Sequence, residues 1–374
     1  MTGSKRIEPD WVKQRASELG FSLVGITTPE PPPHHVTYQA WIDSGHHAQM
    51  NYLAHPDAIE KRRDPRKILP ECQSIIVTGT CYDASMTGTN ADFQVAGYAL
   101  GEDYHAILRE RLHELVSALE QRSGRSIKHR IYTDTGPLLE RELAQRAGLG
   151  WIGKNTCLIH PALGSYFLLA ELMLDLALEP DQPFLHDRCG SCTRCIEACP
   201  TACILPDRTI DASRCISYLT IELKGAIPIE LRRHINDWLF GCDICQQACP
   251  WNQRFAGQVV DPAFKPRPFL RQASLRDFLR LEKGSWRENL RDSPLERPRR
   301  KGLLRNAAIV AGNHRDVAWI EDLAHILQKD PDPLPRSHAA WALKQMDHPH
   351  AQEIIQAQRA VENDTSVRQE LEPD

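Results

Sequence analysis

Eight of the twelve cysteines stand at spacings that prescribe metal chemistry. Cys189-x-x-Cys192-x-x-Cys195-x-x-x-Cys199-Pro200 is the bacterial ferredoxin run, in which three thiolates grip one [4Fe–4S] cluster and the fourth reaches across to a neighbour. A partial second run, Cys242-x-x-Cys245-x-x-x-Cys249-Pro250, is one cysteine short, and Cys215 is the candidate that completes it. Two such clusters need eight thiolates, which these residues supply. The crossed arrangement assigns Cys189, Cys192, Cys195 and Cys249 to one cluster, and Cys199, Cys215, Cys242 and Cys245 to the other. Structural zinc is the competing reading, but zinc requires neither a closing Cys-Pro nor thiolates exchanged between sites. Of the other thiols, Cys72, Cys81 and Cys157 read as small core side chains, since free cysteine is among the most buried residue types. Cys203 follows Cys199 by four residues and is surplus to the ligand count.

An electron-transfer module implies an acceptor, yet neither the glycine fingerprint of a dinucleotide site nor a P-loop occurs. Glycine and polar residues are instead concentrated in Tyr132-Thr-Asp134-Thr-Gly136-Pro137-Leu-Leu-Glu140-Arg141 and in Gly148-Leu-Gly150-Trp151-Ile-Gly153-Lys154-Asn155. These segments lie between a predicted strand and helix, where ligands often sit in α/β folds. Asp134 is the one carboxylate at that strand end, and spacing alone leaves it open between a chemical role and capping the following helix.

The elements that must position these residues divide the chain in three. Residues 1–180 form an α/β domain: a helix over Pro9–Gly20, strands over Phe21–Ile26, Ser74–Tyr82 and Ile127–Thr133, and a helix over Asp103–Gly124 with Ile107, Leu108, Leu112, Leu115, Val116 and Leu119 on one stripe. A further helix is expected over Pro137–Ala147, with proline in its first turn. Residues 181–260 are organised by the cysteine ligands more than by an apolar core. In 261–374 apolar residues recur at helical spacing in Leu303–Ala311, Trp319–Leu327 and Ser337–Met346. Arg305-Asn306-Ala307-Ala308 aligns with Ser337-His338-Ala339-Ala340, a pair of alanine-rich starts suited to HEAT-like repeats or to a plain helical bundle. The fold class expected is α+β and multidomain.

With 374 residues, 41% hydrophobic and 25% charged, the composition is that of an ordinary globular chain. The first twenty residues carry Lys5, Arg6, Asp10, Lys13, Arg15 and Glu18 without an apolar run of signal-peptide length, and no later segment would span a bilayer. A cytoplasmic location without membrane contact follows, and a reducing compartment turns clustered cysteines toward metal. A net charge of −4 leaves nucleic-acid binding to local stripes. Two qualify: Lys61-Arg62-Arg63 with Arg66-Lys67, and Arg297-Pro-Arg299-Arg300-Lys301 with Arg305.

Tyr98-Ala-x-Gly101-x-Asp103-Tyr-His105, Asp134-Thr-Gly-Pro-Leu-Leu-Glu-Arg141, Gly150-Trp-Ile-Gly-Lys-Asn155 and the cysteine runs with Gly241-Cys-Asp243-Ile-Cys245-Gln246 occur in one order over most of residues 60–250. In these blocks the chain resembles the epoxyqueuosine reductase family, cobalamin-dependent enzymes that complete the queuosine modification at the tRNA wobble position. The resemblance implies two [4Fe–4S] clusters passing electrons singly to a base-off cobalamin, Asp134 as proton donor and cobalamin contact, and helical repeats that help hold tRNA. It also implies cobalamin contacts from Arg62, Asn155, Ser165, Ser217 and Asp243 and places Lys224 in a segment near the substrate, while the second basic run offers Arg299, Arg300 and Lys301 for tRNA phosphates. A proton donor of this kind is expected to be buried, because burial keeps a carboxylic acid protonated near neutral pH. Asp103-x-His105-x-x-Leu108 ends in leucine where His-ligated cobalamin proteins have glycine, so His105 reads as structural. The expected partners are a tRNA with a queuosine-type anticodon loop, its modified base splayed out, and an electron donor such as a flavodoxin or ferredoxin; the chain is expected to be a monomer. Rival readings are a cobalamin-dependent reductive dehalogenase, which usually carries a twin-arginine export signal, and an electron carrier, which would need neither Asp134 nor the first 180 residues.

Overall fold

A computed structural model describes residues 7–84 and 92–373; Lys5 and Arg6, used above in reading the leader region, lie outside the described residues. The chain forms two compact units, each discontinuous in sequence. One gathers Met1–Ser85, Asp103–Ala212 and Ile244–Lys265, the other Met86–Glu102, Ser213–Asp243 and Pro266–Asp374.

The first unit is built on a sheet of β1 (Leu23–Thr27), β2 (Ser74–Cys81), β3 (His129–Tyr132) and β4 (Phe167–Leu174), in spatial order β1-β2-β4-β3 and antiparallel throughout. All of β2 is buried and β4 nearly so, which accounts for their near-continuous apolar runs. Alternation of strands and helices thus produces no parallel sheet here. Helix α1 (Pro9–Glu18) precedes β1. Helix α2 (Tyr104–Ser123) buries Leu108, Leu112, Leu115, Val116 and Leu119, while Ile107 is only half-buried. The Asp103 carboxylate accepts the His105 N–H at its start, and Gly124 takes φ +71° at its end.

Helix α3 (Glu140–Arg146) begins three residues later than the proline suggested, because Pro137 lies in the turn leaving β3. Its Leu143 and Ala144 pack with Leu138, Ile75, Val77 and Met173 on one sheet face. Cys72 and Cys81 are in this core as expected. Cys157 is not: it is half-buried, because it sits in the tight turn joining the short strands Trp151–Ile152 and Leu158–Ile159.

In the second unit a two-stranded parallel pair, Gln94–Val95 with Trp238–Phe240, accompanies helices α4 (Ile216–Ile221), α5 (Arg299–His314), α6 (Ile320–Lys329), α7 (Pro333–Lys344), α8 (Pro349–Val361) and α9 (Thr365–Leu371). Helix α5 is buried from Gly302 to Gly312, and Gly312 lets α7 approach closely, since a Cβ there would stand 2.9 Å from Ala342 Cα. The two aligned alanine-rich starts grip one segment. Asn306 donates to the carbonyls of Thr220 and Leu239, each at 2.8 Å, and His338 Nε2 accepts the Ile227 N–H at 3.2 Å. Arg305, fully buried, donates to the carbonyls of Leu219, Leu223 and Gly225 at 2.7–2.8 Å. Among the described residues no helix is long and apolar enough to cross a membrane.

Candidate active site and cluster ligands

The first ferredoxin run is a loop with one short helix, Arg194–Ala198, and it is tied to the Gly150–Asn155 motif. Lys154 Nζ donates to the carbonyls of Gly190 (2.7 Å) and Cys192 (3.0 Å), and the Trp151 indole N–H points at Cys189 Sγ (3.4 Å). An N–H aimed at sulfur stabilises a thiolate ligand. Cys249 precedes the helix Pro250–Phe255 and joins Trp151 and Ile159 in an apolar cluster with Phe184, Cys189 and Trp251.

Burial raises the Cys195 thiol, and the charges of Cys189 and Cys249 add to the rise. Burial likewise raises Cys249, with Cys189 and Cys192 contributing. Cys189, Cys192, Cys195 and Cys249 therefore sense one another as a set. Yet among the described residues no three or more His, Cys, Asp or Glu side chains converge on a single ion. Four thiolates brought into one set match the four irons of a cube.

Of the other four thiols, Cys199 and Cys245 belong to the first unit and Cys215 and Cys242 to the second. Cys203 is buried behind Cys199, with the sulfurs 3.5 Å apart. A hydrogen bond from Cys203 is the main cause that pulls the Cys199 thiol down to about 5. Cys203 thus stands within hydrogen-bond reach of the Cys199 sulfur.

At the end of β3 the chain turns sharply. Thr133 anchors the turn by donating to the Leu169 carbonyl at 3.0 Å, and Asp134 takes φ +57°, a left-handed conformation that aspartate tolerates better than most residues. Gly136 follows, where a Cβ would stand 2.5 Å from the Tyr132 ring. Asp134 does not cap α3, whose N-cap is Leu139. Its carboxylate accepts from the Tyr104 hydroxyl at 3.0 Å, and His105 Nε2 lies 3.9 Å away. His105 is held by Asp103, 2.6 Å from its Nδ1, and stacks on Tyr104. The expected burial of Asp134 is not found: its side chain is 68% exposed, because the left-handed turn lifts it off the sheet.

Burial falls instead on two carboxyls beneath the loop, which spacing did not single out. Burial first, then the charge of Asp134, pushes Glu140 up to about 8, and burial with the charge of Glu140 raises Glu171 well above the carboxylate range. An isolated glutamate in the apolar strand Phe167–Leu174 was the one available signal.

With this geometry in view, the chain matches over residues 62–135 the family model for epoxyqueuosine reductase QueG, and over 188–252 one for a 4Fe-4S double cluster binding domain. The epoxyqueuosine reductase of Pseudomonas aeruginosa is 38% identical over 339 residues, covering 89% of this chain and 93% of that protein. This chain belongs to the epoxyqueuosine reductase family. An epoxyqueuosine reductase crystallised with a tRNA-Tyr epoxyqueuosine-modified stem loop superposes with a TM-score of 0.89 at 31% identity, covering 97% of this chain and 96% of that one. The Bacillus subtilis epoxyqueuosine reductase, in a structure whose aspartate catalytic loop is swung out of the active site, gives 0.87 at 30% identity over 97% and 96%.

The remaining residues that the epoxyqueuosine reductase family pattern singles out have varied settings. Arg62 is buried over the Tyr38 ring and donates to the Gly136 carbonyl at 3.3 Å, bracing the Asp134 loop from behind. Asn155 is buried and donates to the Cys245 carbonyl at 3.4 Å. Ser165 is buried with its hydroxyl 2.9 Å from both Gln246 and Asn252, and Gly164 beside it leaves no room for a Cβ, which would meet Asn252 at 2.2 Å. In the second unit Asp243 accepts the Gly97 N–H at 2.7 Å, and Ser217 is half-buried on α4. Lys224 reaches the carbonyls of Ile221 and Arg297, each at 3.3 Å, on the segment that Arg305 and His338 hold.

The basic run at 297–305 is not one free stripe. Arg297 pairs with Glu222 and Arg300 with the nearly buried Asp330, while Arg305 is internal. Arg299 is exposed, and Lys301 pairs loosely with Asp332 at 3.6 Å. In the other run Lys61 pairs with Asp57 and Arg66 with Asp64.

Proposed function

We propose that the chain reduces epoxyqueuosine to queuosine at the wobble position of tRNA, in the cytoplasm, with Asp134 as proton donor. The observation that carries the reading is the Asp134 carboxylate: presented at a strand end in a left-handed turn, oriented by Tyr104, in a chain of the epoxyqueuosine reductase family. When bound, two [4Fe–4S] clusters and cobalamin supply the electrons. Removing the epoxide oxygen as water takes two electrons and two protons, and the protein's part is to deliver protons and hold the base. A carboxylic acid donates near neutral pH when desolvation or a neighbouring negative charge keeps it protonated. Since Asp134 is exposed in the chain alone, any desolvation has to arrive with the substrate.

Cys189, Cys192, Cys195 and Cys249 hold one cluster in this reading, and Cys199, Cys215, Cys242 and Cys245 the other. Arg62, Asn155, Ser165 and Asp243 suit cobalamin as buried polar side chains, and Asp134 and Ser217 are its other contacts in this reading. Residues 1–180 are the cobalamin-binding and catalytic part, 181–260 the cluster part, and 261–374 a HEAT-like part that binds tRNA through Lys224, Arg299 and Lys301. Arg300 serves this surface through its pairing with Asp330. A flavodoxin or ferredoxin supplies electrons to the monomer.

Anaerobic purification tests the reading directly. Iron, sulfide and a corrinoid should co-purify, and epoxyqueuosine tRNA should yield queuosine with a chemical reductant. Zinc in place of iron, or turnover of an organohalide but not of the tRNA, would overturn it. Replacing Arg299 and Lys301 together should weaken tRNA binding and lower the salt slope by about 1 to 2. Unchanged binding would return both to the solvated surface.

A further inference from the structure

We infer that Glu140 and Glu171 hold one shared proton beneath the Asp134 loop and that the pair positions Asp134, an inference resting on the role proposed above for that residue. Glu171 lies mid-strand on β4, opposite Tyr132 of β3 and Val77 of β2, so it points to the sheet face that α3 covers, and it is fully buried. Glu140 opens α3 on that face. Both oxygens of Glu171 and Oε1 of Glu140 are sealed from solvent without a hydrogen-bond donor, although the two carboxyls are within reach of each other.

An ionised carboxylate only accepts hydrogen bonds, so two desolvated carboxylates facing each other satisfy neither. One proton resolves the conflict, since the protonated partner donates to the other and a single negative charge remains. The surroundings decide where each resides. Glu140 has the backbone N–H of Asp134 and the Arg141 guanidinium beside it, whereas Glu171 meets only the charges of Glu140 and Asp134. The proton therefore sits on Glu171, and the charge on Glu140, where it holds the Asp134 amide.

The other polar groups around this loop are Tyr132 on β3, Tyr104 and His105 on α2, and Arg62, which reaches the loop through the Gly136 carbonyl; β2 offers only apolar Val77 opposite Glu171. Loss of the shared proton would place two negative charges under a third, and repulsion would loosen the turn. Loop order then depends on pH.

The test is hydrogen–deuterium exchange at amides 133–136 of the cluster- and cobalamin-loaded full chain, corrected for intrinsic rates and followed against pH. Infrared spectra report any protonated carboxyl. In the wild type, protection should fall about tenfold as the shared proton leaves, the weight of one charged hydrogen bond. Glu171→Gln supplies a permanent donor, so it should abolish both the pH dependence and the infrared carboxylic acid signal. Glu140→Ala should lose protection at every pH and lower kcat with KM little changed, while Glu140→Gln, which still accepts the amide, should restore both to within about threefold. Wild-type protection in Glu140→Ala, or an acid signal that survives in Glu171→Gln, would overturn the inference. Turnover of Asp134→Asn reports separately on the role of Asp134, since neither exchange nor infrared requires it.

Discussion

The Cys189–Cys199 loop and the Asp134 loop lie in the same compact unit, yet they are held by opposite means. The cysteine loop is half-exposed and stitched from outside by Lys154 and Trp151, with hydrogen bonds running to backbone carbonyls and to a sulfur. The Asp134 turn has buried groups at its back, Arg62 behind Gly136 and the Glu140–Glu171 pair below, while the Asp134 carboxylate faces out. Thiolates bound to a cluster gain their order from the metal, so the protein need only bring them near. A proton donor has no such organiser, and its geometry must be built into the packing around it.

The sharpest way to break this contrast is to remove a ligand. Cys249→Ala should lower iron content by about half, since one of two clusters loses a thiolate, and abolish turnover; full iron by elemental analysis would remove Cys249 from the ligand set. Next in size, Asp134→Asn should retain iron and corrinoid while turnover falls by about 10² to 10⁴, and wild-type-like rates would sever the turn from the chemistry. Lys154→Ala should be milder, loosening the cysteine loop by about 1 to 3 kcal/mol. It would show as faster loss of iron in air with the Asp134 amides unchanged.

The smallest effect expected is on stability against pH. The Glu140–Glu171 pair binds its shared proton more tightly folded than unfolded, so the native state carries an extra proton from the ordinary carboxyl value of 4.5 upward. Stability should therefore fall as pH rises above that value, and thermal midpoints for Glu171→Gln should lose that slope. A stability that instead rises over that range in the wild type would mean that the carboxyls beneath Asp134 are ionised together.

Spacing alone determined the cysteine chemistry, because C-x-x-C runs closed by Cys-Pro are local and their meaning survives any arrangement of the rest. Periodicity likewise determined the strand Ser74–Cys81 as an apolar segment and the long helix after Asp103, capped at both ends by residues readable in the chain. Tertiary structure decided what pairs with what. Glu171 is one acidic letter in an apolar strand until an antiparallel register sets it beside Tyr132 and under α3. Arg300 and Arg305 read as neighbours in a basic run until folding pairs one with Asp330 and buries the other among carbonyls. Asp134 looked like a residue to be buried, and its exposure follows from a turn that no sequence period encodes. Local spacing names the chemistry a residue can do, but solvation and charge depend on residues brought near from distant parts of the chain, and those set whether it does it.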